Sequence, residues 1–201
     1  MMKVAVVGCG IMGLLTIAGL RKSGARKVVG VDLLPEKLEL AKKLGATDVM
    51  NPRDTPDISE WSYLATGGRF FDVVVEISGS IRGLDTAAQM IRYGHKNGNA
   101  VETYQGPGRI LLPSVYTNEE TFPVRLGFNL MVRTPTLQVV HTGYSIEPLR
   151  NDAIGIDAFV DGTLPMDEMI THEIPFKDMA TGMEWLIAPP PGYIKGMVVF
   201  E

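Results

Sequence analysis

Along the first hundred residues, short apolar β-rich runs alternate with helix-length amphipathic segments, and that alternation predicts a parallel sheet with crossover helices. Lys3 to Val7 is a Val-rich strand, too apolar on both sides to face water, as a strand covered on both faces should be. Ile11 to Ser23 then reads as a helix, Lys27 to Val31 as a second strand and Pro35 to Leu44 as a second helix. Proline sits in the first turn of that helix and Gly45 just past its end, the usual start and stop signals. Asp48 to Met50 gives a short third strand, and Asp57 to Thr66 a helix stopped by Gly67-Gly68. Phe71 to Ile77 follows as a fourth strand, Gly83 to Tyr93 as a helix and Asn99 to Tyr104 as a fifth strand. After Gln105 the rhythm changes: Gly106 to Pro135 holds four prolines and few periodic stretches, and reads as loop-rich. Thr136 to Thr142 predicts a sixth strand and Pro148 to Val160 a helix. The tail runs strand (Glu168 to Ile174), helix (Lys177 to Ile187), a Pro189-Pro190-Pro191-Gly192 break and a last strand, Tyr193 to Phe200. The expected fold is therefore α/β. A doubly wound parallel sheet with helices on both faces spans residues 1–163, and a C-terminal strand-helix-strand tail spans 164–201.

Composition bounds what such a chain can do. Its 201 residues suffice for one full domain plus an appendage, and 45% hydrophobic with 21% charged residues is ordinary for a globular protein. A net charge of -4, with no run of Lys or Arg, argues against a nucleic-acid or acidic-membrane surface. One cysteine rules out an intrachain disulfide and fits a reducing compartment. Val4 to Leu20 is uncharged and follows Lys3, so it imitates a signal peptide, and Cys9 loosely imitates a lipoprotein cleavage site. Too few apolar residues precede Cys9 for such a signal. The run is also short for a membrane span and holds four glycines. The expected location is the cytoplasm.

The chemistry concentrates in Gly8-Cys9-Gly10-Ile11-Met12-Gly13, which follows a predicted strand and opens a predicted helix. In this Rossmann arrangement Gly8 permits the tight turn, Gly10 lets the backbone approach a pyrophosphate, and Gly13 lets the helix lie close on the sheet. The pyrophosphate meets the unpaired N–H groups and positive dipole end of the helix that starts near Ile11 and Met12. Asp32, at the end of the next strand, would accept hydrogen bonds from both ribose hydroxyls of the adenosine. Its charge would repel a 2′-phosphate, and Leu33 and Leu34 beside it are neutral, so NAD is favoured over NADP. Lys37 is close enough to touch the ribose.

With these residues in view the chain resembles the zinc-type medium-chain alcohol dehydrogenases, sorbitol and threonine dehydrogenases among them. The resemblance rests on Gly8-x-Gly10-x-x-Gly13, Val31-Asp32 with Lys37, Lys42-Lys43-Leu44-Gly45-Ala46, and Asp72-Val73-Val74-Val75-Glu76 ending near Gly79. It continues in Ile170-Thr171-His172, Pro175-Phe176 and the closing Ile194 to Val199, while Gly106 to Pro135 matches poorly. It implies cofactor contacts at Ser78 after the fourth strand, at Tyr104 after the fifth, and at His141 and Thr142 on the sixth. It also implies an N-terminal catalytic domain bearing the zinc ligands, whereas this sequence opens on the first sheet strand. The expected function is accordingly the NAD(H)-binding domain of an alcohol or polyol dehydrogenase-like oxidoreductase. The catalytic domain would come from another chain or have been lost. A non-catalytic dinucleotide-binding or sensing module is the alternative.

No catalytic residue can be assigned from spacing. A catalytic zinc needs three protein ligands, yet Cys9 sits in the phosphate loop and His95, His141 and His172 are far apart, so no metal site is expected. Tyr93 and Lys96 lack the Tyr-x-x-x-Lys spacing, and no Gly-x-Ser-x-Gly elbow occurs. His172 is open to a structural hydrogen bond or a site role. Cys9 is either a small filler or, at a helix N-terminus, a thiol of lowered pKa. In the resembled family cofactor domains pair edge to edge, and Thr136 to Thr142 carries no Lys, Asp, Glu or internal Pro to blunt such pairing. A homodimer through that strand is expected. Apolar tail residues Met169, Ile170, Met183, Trp185, Leu186 and Val198 are expected to be left at the surface.

Overall fold

A computed structural model describes residues 2–94, 106–114, 116, 124–140 and 147–200. The chain divides into two compact units, Met1–Leu149 and Arg150–Glu201. Among the described residues of the first, six strands form one sheet of order β3-β2-β1-β4-β5-β6, and every strand pair is parallel. The strands are β1 (Lys3–Val7), β2 (Lys27–Val31), β3 (Asp48–Met50), β4 (Val73–Glu76), β5 (Arg109–Leu112) and β6 (Thr136–Val139). Between them run α1 (Ile11–Lys22), α2 (Pro35–Lys43), α3 (Ile58–Ala65), α4 (Ile81–Met90) and α5 (Val124–Arg133). The order reverses direction at β1 and β4, so the carboxyl ends of these two strands flank the crevice where open α/β sheets take their ligands.

Strand periodicity assigns the two faces. Val6 lies opposite Gly30 in the register. A side chain on Gly30 would meet Ala41 of α2 and Ile17 of α1, so Val4, Val6 and Val28 face those two helices. Ala5, Val7, Val29, Val31 and Val74 point the other way, into a cluster with Leu84, Ala87, Ala88 and Met90 of α4, Ile58 of α3 and Leu126 of α5. Both faces of the central strands are thus covered, which is why they read as continuous apolar runs.

One stretch departs from the sequence reading. The stretch Gly106 to Pro135, expected to be loop-rich, supplies β5 and α5. The strand expected over Asn99 to Tyr104 lies outside the described residues. The chain uses short, proline-bounded pieces here: β5 is four residues long and stops at Pro113, and Gly108 admits Ile91 where a side chain could not fit.

The second unit holds α6 (Pro148–Val160, whose first residues fall in the first unit), β7 (Ile170–Pro175), α7 (Met179–Glu184) and β8 (Lys195–Val199). Here β7 and β8 pair in parallel, so the strand-helix-strand tail is present. Met169, expected at the surface, is fully buried, whereas Met183 and Leu186 are exposed as expected. No helix among the described residues is long and apolar enough to cross a membrane.

Candidate functional site

The loop from β1 into α1 is shaped by its three glycines. Gly8 has φ +100°, a left-handed backbone that glycine tolerates, and a side chain there would come within 2.8 Å of the Ser78 nitrogen. This close approach places the loops after β1 and β4 side by side. At Gly13 a Cβ would collide with the Gly8 carbonyl oxygen and lie 3.0 Å from its carbon, so α1 starts pressed onto the loop it leaves. Gly10 is the opposite case: a Cβ there meets nothing within 4 Å, which leaves an open cradle directly before the helix.

That helix begins without a side-chain cap. Gly10 occupies the N-cap of α1 and offers no side chain to cap the first-turn amides, and the turn holds no acidic residue. By contrast Asp57 caps α3 through the Glu60 amide at 2.8 Å, and Ser80 caps α4 through the Gly83 amide at 3.0 Å. The first-turn N–H groups of α1, with Ile11 half-buried and Met12 exposed, are therefore presented to the open cradle.

Asp32 stands at the carboxyl end of β2 and is held by the backbone. One carboxylate oxygen accepts the Cys9 amide at 2.7 Å, and the other accepts the Leu33 and Leu34 amides at 2.8 and 3.1 Å. These bonds fix the side chain beside the glycine loop, while a half-exposed carboxylate keeps lone pairs for outside donors. Leu33 and Leu34 are exposed next to it, and Lys37 is half-buried in the first turn of α2. Cys9 is buried, its thiol 3.7 Å from the Val31 carbonyl. Burial, reinforced by the Asp32 charge, pushes the thiol up to about 12. The lowering offered by a helix N-terminus is overridden, and Cys9 is a packed filler without thiolate character at neutral pH.

Beside this loop lies a buried network that sequence reasoning missed. Glu76, the last residue of β4, is fully buried. Its carboxylate accepts the Ser78 amide at 2.9 Å, the Ser78 hydroxyl and, through its other oxygen, the Tyr116 hydroxyl. A buried carboxylate must find donors, and these three satisfy it by tying the loop after β4 to the segment after β5. Ser78, expected at the site, is thus positioned by Glu76 on one side and by Gly8 on the other. The signal was a lone Glu ending an apolar strand; Tyr116, forty residues away, carried none.

The structure therefore brings together Gly8, Gly10, Ile11, Met12, Gly13, Asp32, Lys37 and Ser78 around the carboxyl ends of β1, β2 and β4. Tyr104, His141 and Thr142 lie outside the described residues. Among the described residues no three His, Cys, Asp or Glu side chains converge as metal ligands would. His172, in the second unit, bonds the Thr171 hydroxyl at 2.9 Å and packs edge-on against Trp185, with ring centroids 5.3 Å apart, so its contacts are structural.

Comparison with known proteins agrees with this geometry. A family model described as zinc-binding dehydrogenase matches residues 12–102. Alcohol dehydrogenase 1 of Trifolium repens is 28% identical over 195 residues, covering 92% of this chain and 44% of that protein. The alcohol dehydrogenase-like 5 protein of Arabidopsis thaliana is 30% identical over 186 residues, with the same coverage of 92% and 44%. Over its sheet-forming half the chain is similar to the zinc-type medium-chain alcohol dehydrogenases. It spans less than half the length of these curated relatives of the family. Among solved structures, the alcohol dehydrogenase from Thermus sp. ATN1 superposes with a TM-score of 0.75 at 24% identity, covering 100% of this chain and 51% of that one. The 2R,3R-butanediol dehydrogenase from Bacillus subtilis gives 0.75 at 24%, covering 98% and 50%. At these identities the structures show that the medium-chain dehydrogenase fold is shared.

Proposed function

We propose that this chain is the NAD(H)-binding part of an alcohol or polyol dehydrogenase-type oxidoreductase of the cytoplasm. It would work with the zinc-bearing catalytic domain that the family implies, supplied as a separate segment or subunit. The observation that carries the reading is the pairing of an uncapped α1, open at Gly10, with an Asp32 carboxylate held beside it by three backbone amides. A dinucleotide supplies hydride chemistry when bound; the chain's own residues bind and orient it. The first-turn amides and helix dipole take the pyrophosphate, Asp32 accepts the adenosine ribose hydroxyls, and Lys37 flanks them. Gly8 and Glu76 hold Ser78 at the crevice, and Tyr104, His141 and Thr142 are the further contacts that the family resemblance implies for the nicotinamide.

Titration of the purified chain tests this. NADH should bind at least about tenfold more tightly than NADPH, because Asp32 repels a 2′-phosphate and rewards a 2′-hydroxyl. Asp32→Ala should weaken NADH by a similar factor and spare NADPH. Equal affinities for the two cofactors in the unmodified chain would remove the assignment.

The same reading extends to assembly. Among the described residues the sheet ends on β6, and Leu137 and Val139 of that strand are 47% and 76% exposed. An open edge with apolar side chains favours pairing with a second copy across a two-fold axis. Sedimentation at low micromolar concentration should show a dimer that Val139→Lys shifts to monomer; a monomer in the unmodified chain sinks the idea.

A further inference from the structure

The amino end of the sheet carries a feature that cofactor binding does not use. Where β1, β4 and β5 begin, a shallow cleft of about 320 Å³ is lined by Lys3, Arg69, Asp72, Arg92 and Arg109, with two apolar neighbours. Four cations against one carboxylate is a local excess of three positive charges, in a chain whose net charge is -4. The residues come from well-separated places in the sequence, so the fold gathers them and no local basic run does.

Their contacts divide them into a frame and a face. Asp72 builds the frame: one carboxylate oxygen accepts the Lys3 backbone amide at 2.8 Å, and the other pairs with the Arg92 guanidinium at 3.4 Å. Arg92 also reaches the Pro107 carbonyl at 3.5 Å, and the Lys3 ammonium donates to the Thr66 carbonyl. The single acid is thus turned inward and neutralised where it stands. Arg69 and Arg109 form the face. Both are exposed, and among the described residues neither has a carboxylate partner. Unopposed arginines beside a concavity suit an anion with several oxygens, since each guanidinium can engage two at once.

We propose that this cleft binds a polyphosphate chain, inorganic or as the tail of a nucleotide, at the end of the sheet opposite the Gly8–Gly13 loop. A chain of linked phosphates fits better than one phosphate, because the cations are spread over the starts of β1 and β5, the loop before β4 and the end of α4. The reading stands independently of the cofactor assignment, since it shares no residue with it.

Inorganic triphosphate is the probe, followed by thermal shift and calorimetry at low salt, with ATP and orthophosphate alongside. Triphosphate should raise the melting temperature and bind more tightly than orthophosphate, with affinity falling steeply as salt is added. The double variant Arg69→Gln, Arg109→Gln should weaken triphosphate roughly tenfold or more while melting normally without anion. Arg69→Lys, Arg109→Lys should retain part of the affinity. Equal losses of triphosphate and ATP in the glutamine variant identify the bare chain as what is read, and a larger loss for ATP identifies a nucleotide. Absence of any triphosphate binding, or undiminished binding in the glutamine variant, overturns the proposal.

Discussion

Replacing Arg133 with alanine should lower folding stability by about 3 kcal/mol or more, among the largest effects open to a single substitution outside the glycine loop. Arg133 ends α5 and is only 3% exposed. Its guanidinium sits in the corner between two nearly perpendicular rings, Phe70 and Tyr93, with the central carbon 4.3 and 4.4 Å from the two ring centroids. The in-plane donors reach the Ile91 carbonyl at 2.6 Å and the Ser59 hydroxyl at 2.8 Å. Burial lowers its pKa, with Tyr93 and Asp57 acting in the opposite direction. One flat cation therefore joins α3, the loop into β4, the end of α4 and α5. Alanine removes two charge-assisted hydrogen bonds and two ring contacts, and opens a void between them. Lysine keeps the charge but offers neither a plane for the rings nor a fork for two acceptors, so Arg133→Lys should recover no more than about half of the loss. Urea unfolding reads this directly as a shift in midpoint at constant slope. A midpoint for Arg133→Ala within error of the unmodified chain would show that these ring and hydrogen-bond contacts contribute nothing to stability.

The same residue shows why part of the fold was illegible. Leu126 and Leu130 face the core at helical spacing, and Arg133 continues that face three residues on. Read as a solvated charge, Arg133 breaks the apolar period, and with prolines on either side the stretch passes for loop. Its burial depends on Phe70 and Tyr93, which arrive from 63 and 40 positions away in the chain, a pairing no local pattern records. β5 failed for a related reason: four residues opening on an arginine and followed at once by a proline carry too little periodicity. The glycine loop and Asp32 were legible because their geometry is local. The turn, the helix start and the strand end lie within twenty-five residues of one another, and each glycine has its own steric reason. Cys9 marks the boundary between the two cases. Its place at a helix start suggested a lowered pKa, but burial under β2 and the Asp32 carboxylate set the opposite sign. Position in sequence identified the neighbours; only packing decided which of them dominates.

Three alanine substitutions in the first helix and its approach should separate folding from binding. Gly13→Ala should destabilise the chain by about 2–3 kcal/mol, because the added Cβ meets backbone at Gly8 that cannot rotate away, and α1 must lift from the sheet to admit it. Gly19 lies in the same helix, and a methyl group added there would meet nothing within 4 Å. Gly19→Ala should therefore stabilise by about 0.5–1 kcal/mol through helix propensity alone. Opposite signs for one chemical change, six residues apart, would isolate the contact at Gly8 as the cause. Gly10→Ala is the functional member of the set. Its surroundings are empty and its φ of -72° suits alanine, so stability should move by no more than about 1 kcal/mol, the difference between glycine and alanine at an N-cap. The methyl group would nevertheless stand in the cradle before α1, where a pyrophosphate must approach the amides. NADH affinity should therefore fall by roughly tenfold or more while the melting curve stays near that of the unmodified chain. Melting temperatures and NADH titrations on the three proteins decide the matter together. If Gly10→Ala binds NADH as tightly as the unmodified chain, the cradle is not where the pyrophosphate sits. If Gly13→Ala melts no lower than Gly19→Ala, the close seating of α1 on its loop is not what the glycine serves.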